Sequence, residues 1–86
     1  MPEICRFYGI IITMYYQDHP PPHFHVRYNE ARAVVRLDNL AILEGHLPAR
    51  VSALVREWAL AHREELQQNW RLAEARQPLT KVPPLE

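Results

Sequence analysis

Glycine, cysteine and serine are nearly missing from this 86-residue sequence, which has only Gly9 and Gly45, the single Cys5 and the single Ser52. With so little glycine there is no Gly-rich loop to cradle phosphates. The lone serine falls in a helical segment with no nucleophile elbow around it, which removes most standard serine-hydrolase readings. One cysteine cannot make an internal disulfide framework and suits a reducing compartment. It has no histidine beside it in sequence, and a small buried hydrophobe is the expected role. An excess of one charge is also missing: ten basic residues balance ten acidic ones. That argues against a protein that holds nucleic acid by bulk charge alone. No apolar run reaches the roughly 18 residues needed to span a bilayer. Met1-Pro2-Glu3 has neither a basic flank nor an apolar signal core, so a cytoplasmic location is expected. No internal repeat is visible.

What remains is a globular composition, 48% hydrophobic and 23% charged, with room for one domain, 1–86. Its plentiful residue is proline, eight in all, three of them consecutive at Pro20-Pro21-Pro22 and three more at Pro78, Pro83 and Pro84. Proline fixes φ and cannot donate to a ladder, so each cluster marks an element boundary. Residues 1–47 read as a sheet. Ile4–Tyr8 and Ile10–Tyr16 are rich in β-branched and aromatic residues, with Gly9 as a bend between them, and the second strand is apolar on both alternate sets. His23–Tyr28 alternates, with Phe24, Val26 and Tyr28 on one face and His23, His25 and Arg27 on the other. Ala31–Leu37 and Leu40–Glu44 complete the set, with turns at Asn29-Glu30 and Asp38-Asn39. Residues 48–76 read as helix. Pro48 fits a first helical position. Val51, Leu54, Val55 and Trp58 make one stripe, and Leu66, Trp70 and Ala73 a second that is rotated from it, so a kink or break is expected near Ala61–Arg63 with His62 as a cap. Residues 77–86 form a Pro-rich tail. The predicted fold is α+β: a four- to five-stranded antiparallel β-meander packed by one long kinked helix or two C-terminal helices.

The chemistry concentrates in Asp18-His19-Pro20-Pro21-Pro22-His23-Phe24-His25. His23 and His25 stand at i and i+2 on a strand and share a face. Two imidazoles on one face are half of a divalent-metal site, to which His19 can add a third ligand and Asp18 a carboxylate. The same histidines suit acid–base work, because imidazole titrates near neutrality. They also suit a polar sheet face with no chemistry at all. A two-residue turn at Asn29-Glu30 sets Arg27 opposite Arg32, His25 opposite Val34 and His23 opposite Arg36. Arg27, Arg32 and Arg36 then share the histidine face, and like charges facing each other there call for an anionic partner. Tyr15, Tyr16, Phe24 and Tyr28 flank the loop as packing residues or as a stacking platform. The helical acids and arginines alternate as ordinary surface pairs.

In order along the chain, Arg6-Phe7-Tyr8-Gly9-Ile10, Met14-Tyr15-Tyr16, Asp18-His19, Pro21-Pro22-His23-Phe24-His25-Val26, Glu44-Gly45, Leu47-Pro48, Glu57-Trp58, His62-Arg63-Glu64-Glu65-Leu66 and Asn69-Trp70 resemble the bacterial family called domain of unknown function 4160. The Pro-Pro-His-Phe-His-Val run is the most specific piece. The turn at Asn29-Glu30 departs from the family's glycine-containing one. The resemblance implies a small protein encoded beside another short domain, in an arrangement similar to a toxin–antitoxin pair, with His19, Pro21, Pro22, His23, Phe24 and His25 carrying the motif. Three functions are therefore expected to compete. The first is a partner-binding half of such a pair, its partner a small protein encoded nearby. The second is a histidine-dependent ribonuclease-like toxin acting on RNA through His19, His23 and His25, with the arginines holding the phosphate. The third is a module that binds a divalent transition metal through the same three histidines. The first needs no cofactor. No membrane partner is expected, and self-association stays open.

Overall fold

The computed structural model describes residues 2–86. Five strands, β1 (Glu3–Phe7), β2 (Ile10–Thr13), β3 (His23–Tyr28), β4 (Ala31–Arg36) and β5 (Ile42–His46), lie in chain order in one antiparallel sheet. Two helices follow, α1 (Ala49–Ala61) and α2 (Arg63–Glu74). The architecture is the predicted α+β meander with two helices.

Turn chemistry sets the strand pairing. Tyr8 and Gly9 both take positive φ (49° and 79°), the two-residue hairpin geometry that matches strand twist. Asn29 takes φ 53° at the β3–β4 turn, a conformation its short polar side chain tolerates. That turn fixes the predicted register: His23 faces Arg36, His25 faces Val34 and Arg27 faces Arg32. Strand boundaries differ from expectation most at the end of β2 and at both ends of β5, which runs Ile42–His46. β2 stops at Thr13, although Met14 keeps the buried set of Ile10 and Ile12 and its N–H bonds Pro2 O at 3.1 Å. β5 starts at Ile42 rather than Leu40, since Leu40 carries positive φ (60°) in the turn and buries its side chain. β2 is also not covered on both faces: Ile10 and Ile12 are fully buried, whereas Ile11 is only half-buried and lines an open groove.

The helices cover one face of the sheet. Trp58 of α1 has no exposed surface and sits 5.6 Å from the Phe7 ring and 5.9 Å from the Phe24 ring, centroid to centroid. Burying one large apolar side chain stabilises by about 1.5–3 kcal/mol, so this cluster anchors the helical layer. The chain breaks at His62 (φ −126°), as the two offset stripes require. His62 occupies the cap position, but its ring meets Glu65 Oε1 at 2.8 Å and caps no backbone N–H.

The Pro-rich tail docks rather than trailing away. Val82 is buried and its N–H bonds Ile4 O at 2.8 Å. Pro83 O accepts from Trp58 Nε1 at 2.9 Å and from Cys5 Sγ at 3.7 Å. Asn69, with no exposed surface, holds the tail to α2: its amide donates to Thr80 O at 2.9 Å, and its carbonyl accepts from Thr80 N at 2.8 Å and Oγ1 at 3.2 Å.

Candidate functional site

The uncovered face of the sheet carries the polar residues. β3 presents His25 and Arg27 there and the β3–β4 register adds Arg32 and Val34; His23 and Arg36, paired at the strand ends, lie outside the groove, with His23 buried against Trp70. A groove of about 460 Å³ runs over this face, walled by Tyr15, His25, Arg27, Arg32 and Glu44, with Ile11 and Val34 supplying apolar surface. Arg27 and Arg32 are exposed and directly opposed, and neither makes an ion pair among the described residues. Like charges at such a position destabilise an antiparallel pair; Glu44 lines the same groove but stands beyond ion-pair distance of both among the described residues. Arg6, also on the groove, is paired to Glu3 at 2.8 Å. Arg36 is not part of the groove; both Asp38 oxygens engage it, at 2.6 and 2.9 Å. The three-arginine cluster expected from the sequence is thus two free guanidiniums and one satisfied one.

At the end of the groove the polyproline loop folds back on β3. Asp18 Oδ2 is 2.8 Å from His23 Nε2 and 3.2 Å from His25 Nε2. Its other oxygen takes the His19 backbone N–H at 3.0 Å. The Pro21 carbonyl, an acceptor only, lies 2.7 Å from His23 Nδ1, so Nδ1 carries a proton. Burial pushes the Asp18 carboxyl up, but the hydrogen bonds from His25 and His23 and the charge of His23 outweigh it and hold it below the usual carboxylate range. Packing fixes both rings: Trp70 lies 5.2 Å from the His23 ring, and Tyr15 meets the His25 ring edge-on at 4.4 Å.

The three candidate histidines therefore have three different environments. The His23 side chain is 4% exposed, with both ring nitrogens engaged, so it anchors the loop. His25 is half-buried on the groove wall with Asp18 behind it. The His19 side chain is 84% exposed; its Nδ1 lies 3.5 Å from Asp18 Oδ1, the oxygen turned away from the other two rings, and it does not join the convergent Asp18–His23–His25 donor set. Sequence reasoning gave Asp18 only a supporting place, although it is the hub of the cluster. Its position seven residues before His25, across a stiff loop, was the available signal. Nothing in sequence spacing pointed to Trp70 behind His23.

The fold and face define a small α+β module with helices on one side of a five-stranded sheet and a polar groove on the other. A family model described as domain of unknown function (DUF4160) matches residues 9–71. The match spans most of the chain, and the protein belongs to that family. No curated protein and no solved structure matches it. Among the described residues, no helix is long and apolar enough to cross a membrane.

Proposed function

We propose that this chain is the partner-binding component of a toxin–antitoxin-like gene pair, and that its groove takes an acidic segment of a small partner protein encoded nearby. The observation that carries this reading is the opposed, unpaired pair Arg27 and Arg32 on an open sheet face. Two guanidiniums without an ion-pair partner among the described residues are ready for carboxylates, which each can take in bidentate fashion. The groove's apolar surface and the balanced net charge of the chain suit a mixed acidic and apolar protein segment better than a uniform polyanion. β5 is the edge strand beside this surface, with Glu44 on the groove. Unpaired edge groups of this kind accept an added strand.

Co-expression with each short open reading frame that flanks the gene tests this. A stable complex is expected with one of them. It should weaken steeply as salt is raised and be lost on combining Arg27→Glu with Arg32→Glu. Failure of every flanking product to bind, or binding indifferent to both substitutions, refutes the reading.

A histidine-dependent ribonuclease has one observation in its favour: His25, oriented by Asp18, shares the groove with both free arginines. General acid–base cleavage needs two proton-transfer groups, and burial withdraws His23 from that work. Growth arrest on expression, abolished by His25→Ala and accompanied by cleaved RNA, would establish this second reading over the first.

A further inference from the structure

We propose that Asp18, His23 and His25 form a binding site for one divalent transition-metal ion, with Oδ2 and the two Nε2 atoms as ligands. The proposal does not depend on the partner-binding reading. The three donor atoms lie within 4.8 Å of one another, with Oδ2 at 2.8 and 3.2 Å from the imidazole nitrogens. Ligands around a four-coordinate ion with bonds of about 2.0–2.1 Å stand roughly 3.3 Å apart. Closure on an ion therefore asks the Asp18–His23 separation to open by about half an ångström and the two imidazole nitrogens to draw together by at most about 1.5 Å.

Two further features belong to a metal site rather than to a chance cluster. His23 Nδ1 donates to the Pro21 carbonyl, the outer-shell bond that leaves Nε2 to face a metal. The His19 backbone N–H occupies the other carboxylate oxygen, which leaves Oδ2 for the ion. The scaffold is rigid in the required way: both histidines come from one strand at i and i+2, and Trp70 and Tyr15 pack against their rings. Two imidazoles and one carboxylate favour zinc, iron(II), cobalt or nickel over magnesium or calcium, which take all-oxygen sites. Three protein ligands leave a position for water or an anion. Because His25 also lines the groove, the ion would sit beside the surface that Arg27 and Arg32 define. Of the ligands expected from sequence, this set keeps His23, His25 and the Asp18 carboxylate and omits the exposed His19.

The test uses the full chain without a polyhistidine tag, stripped with a chelator, then titrated with Zn²⁺ by calorimetry and with Co²⁺ by visible absorption at pH 7.5. One ion per chain is expected, with a dissociation constant of about 1 μM or tighter. Asp18→Asn and His25→Ala should each weaken binding at least about tenfold and remove the Co²⁺ bands. His19→Ala should stay within about threefold of the parent. Should His25→Ala fail to fold by circular dichroism, His25→Gln takes its place. No saturable binding at about 100 μM Zn²⁺ overturns the site. So does binding that survives both ligand substitutions, or binding lost with His19 but not with His25.

Discussion

Replacing Asn69 with alanine should release the C-terminal segment and cost about 2–4 kcal/mol. Asn69 has no exposed surface and spends its amide on Thr80, accepting from its N–H and hydroxyl and donating to its carbonyl. A neutral hydrogen bond contributes about 1 kcal/mol net, which puts the three bonds near 3 kcal/mol. Thr80 is exposed, so its freed groups recover some of this from water. The void left by the deleted amide in a buried site works against that recovery. For a domain of this size the loss corresponds to roughly 10–25 °C in Tm. Urea unfolding followed by tryptophan fluorescence reads it directly, because Trp58 bonds the tail at Pro83. Trypsin provides the local readout. Lys81, whose Nζ bonds Glu3 O, should be cleaved faster in the variant under native conditions. A stability change below about 0.5 kcal/mol, with an unchanged rate of cleavage at Lys81, would refute the docking of the tail through Asn69.

Other expectations follow from the same contacts. Gly45→Ala should cost about 1–3 kcal/mol in urea, since a Cβ there would strike the Arg32 carbonyl and come within 2.9 Å of Ala33 Cα at φ +84°. Gly9→Ala, at φ +79° with its nearest neighbour 3.6 Å away, should cost less. His23→Ala loses two bonds around a buried ring and strips Asp18 of a partner, for about 2–4 kcal/mol. His25→Ala, with one 3.2 Å bond and a side chain 29% exposed, should cost about 1 kcal/mol. Equal costs for the two would contradict the division between anchor and groove wall. Burial pushes the Cys5 thiol above its usual range, and a thiolate is the reactive form. Its reaction with a disulfide reagent at pH 8 should therefore be at least about 100-fold slower in the native protein than in urea. A native rate close to the denatured one would mean that β1 is not covered by the tail.

Strand identity, the β3–β4 register and the helix break were legible because each depends on local chemistry. Period-2 alternation placed His23, His25 and Arg27 on one face. A two-residue turn then fixed the pairing to Arg36, Val34 and Arg32. The offset between the Val51–Trp58 and Leu66–Ala73 stripes required a break, which falls at His62. The parts that were not legible depend on contacts distant in sequence. Asn69 reads as a polar position on a helix until Thr80 arrives to bond it. The Pro-rich tail reads as a trailing segment until Val82 and Pro83 meet Ile4 and Trp58. Among the histidines, sequence spacing weighted three equally. Burial, a tertiary property, separates His23 from His25, and the loop's course sends His19 into solvent.

The measurement that tests the central claim most directly is the affinity of the chain for the product of its neighbouring gene, with Arg27 and Arg32 intact and with both reversed to glutamate. Removing a well-placed charge-assisted pair costs about 2–5 kcal/mol, so the double reversal should weaken the complex at least about 100-fold. Raising salt should weaken the parent complex and have little effect on the variant's. Equal affinities for the two proteins, or no complex for either, would contradict the assignment of the open sheet face as a partner-binding surface.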